Sequence, residues 1–193
     1  QSFVEPPTVL RAQDGVTEVW AGSEPPIDPS GLVVERMHTV STDGAEVGMF
    51  VVRRADAELP GPVELYGYGG FTINLTPTYS PARLAFLEAG GIVVVANLRG
   101  GCEHGEPWHE QGSLGNKQQV FDDLIACGEH LLAEGIATAE TLGIRGGSNG
   151  GLLTAATMLQ RPDLFGAVIS QVPVIDMLRF QHFTAGRFWT VEY

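Results

Sequence analysis

The hydrophobic pattern changes period several times along the chain. Met37–Val40 and Val47–Val52 are two β-rich apolar runs on either side of Asp43-Gly44. A turn dipeptide between such runs predicts a β-hairpin. Val63–Tyr66 predicts a short strand that opens into the glycine-rich segment Gly67-Tyr68-Gly69-Gly70-Phe71. Ile92–Ala96, after Gly91, is continuously apolar, as a strand covered on both faces must be. Ser80–Glu88 predicts a helix with Pro81 in its first turn, where a missing N–H removes no intrahelical bond. From Gln118 to Glu134 the apolar residues stand at 120, 121, 124, 125, 127, 131 and 132, one stripe of a helix with charged residues opposite. Leu142–Arg145 then predicts a strand, Gly150–Gln160 a helix, and Ala167–Ser170 another buried strand.

Strands that alternate with helices of this length imply βαβ crossovers, so the expected class is α/β with a doubly wound, mostly parallel sheet. The opening of the chain differs. Pro6, Pro7, Pro25, Pro26 and Pro29 punctuate short stretches such as Thr17–Trp20, which predicts short strands and loops without a helix. This places a boundary near residue 35, with an all-β segment over 1–35 and the α/β domain over 36–193.

Composition narrows the picture. With 44% hydrophobic and 18% charged residues among 193, the chain can bury a sizeable core. Its net charge of −12 and lack of a basic stripe argue against a nucleic-acid partner and against an anionic membrane surface. No apolar run approaches the roughly 20 residues of a membrane-spanning helix. Residue 1 is Gln and no signal peptide opens the chain, so the numbering is expected to begin inside a longer gene product or after processing. The two cysteines, Cys102 and Cys127, make no disulfide framework, which fits a reducing, cytoplasmic setting. Cys127 falls on the helical stripe and reads as a small core residue.

The candidate chemistry sits in Arg145-Gly-Gly-Ser-Asn-Gly-Gly151. Gly146-x-Ser148-x-Gly150 lies between a predicted strand and a predicted helix, the context that a nucleophile elbow requires. A strand that reverses sharply into a helix puts Ser148 in strained backbone, and side chains two residues to either side would collide. The helix N-terminus then offers free N–H groups to developing negative charge, and the Asn149 N–H becomes an oxyanion donor. A second donor is expected from the glycine-rich loop at the end of a neighbouring strand. There Tyr68 stands before Gly69-Gly70, and its phenol is suited to donate in place of a backbone group. The elbow turns the α/β expectation into an α/β-hydrolase sheet.

Competing motifs fail. A dinucleotide fingerprint starting at Gly67 needs Gly at 72, where Thr72 stands, and no phosphate-binding G-x-x-x-x-G-K-[ST] occurs. Glu103-His-Gly-Glu-Pro-Trp-His-Glu110 is rich in donors, yet it lacks H-E-x-x-H and contains Pro107, so it reads as a polar surface loop and no metal site is expected.

Several separated segments fall in one order: Tyr66–Phe71, Ala96-Asn-Leu-Arg-Gly-Gly101, Asn116-Lys117-Gln118 with Phe121-Asp-Asp123, Gly146–Gly151, Arg161-Pro-Asp-Leu-Phe165, and Trp189 with Tyr193. Over roughly residues 36 to 193 the chain resembles the prolyl oligopeptidase family of serine peptidases. Residues 1–35 resemble the last piece of the β-propeller that precedes the hydrolase domain in that family. The resemblance implies Ser148 as nucleophile, with the Tyr68 hydroxyl and the Asn149 N–H as the oxyanion hole. It implies that Phe71, Val174, Trp189 and Tyr193 line an apolar pocket for a proline ring. Asn after the serine and the Trp/Tyr pair favour prolyl specificity over cleavage after basic residues. The implied reaction is hydrolysis of short proline-containing peptides through an acyl-enzyme, with no cofactor. One departure stands in Gly101-Cys-Glu-His-Gly105, where the family usually has Gly and Tyr at 102 and 104.

A serine nucleophile also needs a base and an acid that orients it, in the chain order Ser, Asp, His. Asp176 and His182 follow Ser148 in that order, but they lie within the pocket-lining segment with no further strand to carry them. The family places both groups in later loops. The chain is therefore expected to be truncated before the triad Asp and His, nearly inactive alone, and partnered by the remaining part of the same enzyme. The alternatives are a degenerate hydrolase that kept its pocket as a binding module, and another oligopeptidase of the same family.

Overall fold

The computed structural model describes residues 2–193. The central feature is a six-stranded mixed sheet with the order β3-β4-β6-β5-β7-β8. These strands are β3 (Leu32–Val40), β4 (Glu46–Arg54), β5 (Val63–Tyr66), β6 (Ile92–Asn97), β7 (Leu142–Gly147) and β8 (Ala167–Gln171). β3, β4 and β6 pair antiparallel, while β6, β5, β7 and β8 run parallel. The helices are α1 (Pro81–Glu88), α2 (Glu106–Glu110), α3 (Gln118–Ala133) and α4 (Asn149–Gln160). No helix among the described residues is long and apolar enough to cross a membrane.

The side-chain period of two sorts the strands between the two faces. Val47, Met49 and Val51 of β4 and Ile92, Val94 and Ala96 of β6 face α3 and α4, in one core with Val120, Leu124, Cys127 and Leu131. Their neighbours Val52, Val93 and Val95 face the opposite way, onto Leu84 and Leu87 of α1. The result is a sheet with helices on both faces. Burial pushes the Cys127 thiol far above its ordinary range, so it stays a protonated packing residue.

Arg99, just past β6, is 1% exposed and ties three elements together. Its guanidinium meets Asp123 of α3 and Asp43 in the β3–β4 turn, each at 2.5 Å at closest approach. Burial opposes the charge, but the hydrogen bonds to the two carboxylates prevail and raise the pKa above its ordinary value.

Two expectations are corrected. Ala167–Gln171 does form a strand, but four of its five residues are exposed, because it pairs only with β7 and stands at the edge of the sheet. The segment read as a polar loop contains the one-turn helix α2, with Pro107 in its first turn and Trp108 buried. Outside the sheet, β1 (Thr8–Gln13) and β2 (Val16–Gly22) form a separate, fully exposed hairpin. β3 begins at Leu32, so the last residues of the opening segment already belong to the large sheet.

Candidate active site

β7 runs to Gly147 and α4 starts at Asn149, so the whole reversal rests on Ser148. Ser148 sits at φ 57°, ψ −115°. Such a conformation costs a residue with a Cβ about 1–3 kcal/mol and persists only where its surroundings enforce it. The Ser148 N–H donates to the Gln171 carbonyl at 2.9 Å, and the Ser148 carbonyl accepts from Gly151 at 2.9 Å and Leu152 at 3.2 Å.

Close packing accounts for three of the four glycines. A Cβ on Gly146 would strike the Gly150 carbonyl, one on Gly150 would lie 2.7 Å from the Gly67 carbonyl oxygen, and one on Gly151 would lie 2.8 Å from Pro173. Gly147 differs, since its nearest neighbours are atoms of Gln171 at 3.9 Å.

Tyr68 follows β5 in the adjacent loop and lines the same cavity as Ser148. Burial raises the phenol's pKa, partly offset by the nearby Ser148 hydroxyl. A phenol held in its neutral form remains a donor. The Asn149 N–H, first in a 12-residue helix, engages no acceptor among the described residues, as the first N–H groups of a helix do. The buried Asn149 side chain has a separate task that the sequence did not announce. Its Nδ2 donates to the Tyr68 carbonyl at 2.6 Å, and its Oδ1 accepts from the Tyr193 hydroxyl at 3.0 Å.

Tyr68, Phe71, Ile73, Ser148, Val174, Trp189 and Tyr193 line one cavity of about 160 Å³. Every residue expected at the nucleophile and the apolar pocket is therefore brought together, and Ile73 joins them. Tyr193 is the hub, edge-to-face with Phe71 at 5.7 Å and with Phe180 at 5.2 Å between ring centroids. A larger cleft of about 570 Å³ between Ser2–Thr8 and Pro77–Tyr79 contains neither the elbow nor the pocket residues, so size alone does not mark the site.

No histidine or carboxylate among the described residues hydrogen-bonds to Ser148. Asp176 pairs with Arg179 at 2.5 Å, and His182 is exposed beside Gln181. The two residues do not bond to each other, so they form no triad with the serine.

A helix-flanked sheet with a strained serine at a strand–helix junction and an aromatic pocket beside it defines a protein of the α/β class. Residues 77–193 match the prolyl oligopeptidase family, and the chain belongs to that family. Over its whole length it is 42% identical to an uncharacterized peptidase of Sinorhizobium fredii and 38% identical to the prolyl endopeptidase of Elizabethkingia miricola. It spans 27% and 28% of those proteins. Among solved structures, a post-proline cleaving enzyme from Rickettsia typhi superposes on the whole chain with a TM-score of 0.95 at 36% identity, the chain covering 28% of that protein. A structure from a study of two prolyl endopeptidases superposes with a TM-score of 0.96 at 44% identity, with 29% of that protein covered.

Proposed function

We propose that this chain carries the nucleophile, the oxyanion hole and the proline pocket of a serine peptidase that cleaves short peptides on the carboxyl side of proline. The observation that carries this reading is the shared cavity, in which Ser148 and Tyr68 open directly onto an aromatic wall of Phe71, Trp189 and Tyr193. A proline ring is compact, apolar and rigid, so it fills a small aromatic slot at little entropic cost. Names of relatives such as "prolyl endopeptidase" support the same substrate class.

With proline seated, Ser148 Oγ attacks the peptide carbonyl carbon and its proton passes to a base. The carbonyl oxygen becomes an oxyanion held by the Tyr68 hydroxyl and the Asn149 N–H. Collapse breaks the C–N bond, the amine leaves with a proton returned by the base, and water then hydrolyses the acyl-serine. In this reading the histidine base and its carboxylate lie outside the 193 residues, the large sheet from β3 onward is part of the peptidase domain, and the segment before β3 ends a preceding propeller.

The test uses the protein expressed from its natural gene and a matched pair of reporter peptides, with Pro or Arg before the cleaved bond. The reading expects turnover of the prolyl peptide, a large preference over the arginyl one, and loss of both activities in Ser148→Ala. No turnover, or turnover that survives Ser148→Ala, overturns it.

A further inference from the structure

Glu192 immediately precedes the pocket residue Tyr193, yet its side chain turns inward and is 3% exposed. Burying a carboxylate is costly unless it is paired and hydrogen-bonded. Here both oxygens are engaged. Oε1 accepts the Phe71 N–H at 2.9 Å and meets Lys117 Nζ at 3.3 Å, and Oε2 lies 2.9 Å from His109 Nε2. Lys117 is half of a second tie, because Nζ also donates to the Gly69 carbonyl at 2.8 Å and lies 5.4 Å from the centre of the Tyr193 ring.

Glu192 and Lys117 both hold the loop that follows Tyr68, at Phe71 and at Gly69. That loop is strained, with Gly69 at φ 65°, Phe71 at φ 57° and Thr72 at φ 56°. Two consecutive side-chain-bearing residues in this region need an outside restraint. Gly70 leaves room for the ties on both sides, since a Cβ there would lie 2.5 Å from Asn149 Nδ2 and 2.9 Å from Glu192 Oε1. From the other side, Asn149 holds the Tyr68 carbonyl and the Tyr193 hydroxyl.

We propose that Glu192, charge-balanced by Lys117 and in hydrogen-bond contact with His109, is a positioning residue that locks the Tyr68 loop to the Tyr193 wall, so that oxyanion donor and proline pocket are set as one rigid unit. Glu192 does not touch substrate; it acts through Phe71 and Gly69 on the placement of Tyr68. The inference rests on the peptidase reading above.

The experiment is a double-mutant cycle in the protein expressed from its natural gene, using the prolyl reporter peptide and following kcat, KM and the thermal midpoint. Glu192→Ala should lower kcat by about 10- to 100-fold, the cost of misplacing a catalytic group by about 1 Å. Glu192→Gln, which can still accept from Phe71 but cannot balance Lys117, should fall between Ala and wild type. In a Tyr68→Phe background Glu192→Ala should cost kcat little more, because the donor it positions is already gone. A thermal midpoint that drops while kcat holds, or effects of the two substitutions that multiply, overturns the inference and leaves the peptidase reading intact. An inactive wild type overturns both. Should Glu192→Ala not fold, His109→Gln, which removes one partner at the edge of the cluster, must show the same dependence on Tyr68 or the inference falls.

Discussion

Two glycine-rich loops meet at the cavity, and they are held by different physics. The elbow, Gly146–Gly151, is fixed by backbone packed tightly against it: the carbonyls of Gly150 and Gly67 and the Pro173 backbone fill the space where side chains would be. The loop from Gly67 to Thr72 is fixed by side chains that arrive from elsewhere. Asn149 reaches it across 81 residues, Lys117 across 48 and Glu192 across 121. The elbow's geometry is thus set by close backbone packing, and the second loop's geometry by side-chain ties from elsewhere in the fold. Substitutions in the elbow should act by steric exclusion, and substitutions around the second loop by release of a restraint.

The largest effect belongs to the atom that both loops serve. Ser148→Ala removes the proposed nucleophile without adding bulk, so turnover should fall by about 10⁴-fold or more with an unchanged thermal midpoint. Residual turnover near the wild-type rate would remove the elbow from catalysis. Next comes Tyr68→Phe, which deletes one proposed oxyanion donor while leaving the ring against the pocket. It should lower kcat by about 100-fold with KM little changed. A rise in KM alone would make Tyr68 a wall of the pocket and no donor.

Gly150→Ala probes the elbow's steric logic. A Cβ 2.7 Å from the Gly67 carbonyl oxygen forces the two loops apart, since backbone cannot rotate away as a side chain does. Destabilisation of about 1–3 kcal/mol is expected in denaturant unfolding, together with lost activity. A stable, active Gly150→Ala protein would break the claim that the elbow is held by close packing.

These contrasts explain what was legible in the sequence. Ser148 among glycines could be read because elbow chemistry and elbow geometry occupy the same six residues. The sheet's central strands could be read because Ile92–Ala96 is apolar throughout and is buried throughout. Ala167–Gln171 has a similar composition, but an apolar run does not say whether a strand stands in the middle of a sheet or at its edge. The pocket residues came from resemblance, not from period, since Trp189 and Tyr193 look like any aromatic pair near a chain segment of short turns. The roles of Lys117, Glu192 and the Asn149 side chain were invisible for a plain reason. Each acts on a backbone group dozens of residues away, and no local pattern encodes that partner.

The pH response sharpens the same comparison at the level of one proton. Tyr68 has its pKa raised, mainly by burial, above the ordinary tyrosine value of about 10. A raised folded-state pKa means that the neutral phenol's contribution is complete below the unfolded value and is lost as pH rises through the folded value. Oxyanion donation by Tyr68 should therefore persist past pH of about 10. A difference titration of phenolate absorbance, wild type against Tyr68→Phe, should show the extra phenol ionising only above that point. Ionisation at or below it would mean that the ring is solvated and not enclosed beside Ser148.

The smallest effect is expected inside the elbow itself, at Gly147. Counting glycines suggests that all four flanking residues are equally constrained, but the distances separate them. A Cβ at 147 has only Gln171 atoms near it, at 3.9 Å, which is ordinary van der Waals contact. Gly147 also ends a strand in parallel register with Gln171, so its backbone is extended and suits a residue with a side chain. Alanine there reduces the freedom of the unfolded chain at no steric cost, a change that stabilises by about 0.4–1 kcal/mol where the native backbone tolerates it. Gly147→Ala should therefore keep kcat within about twofold of wild type and hold or slightly raise the thermal midpoint. If it instead behaves like Gly150→Ala, the elbow needs glycine for a reason other than the space its neighbours leave. The division between a loop held by packing and a loop held by charge would then have to be redrawn.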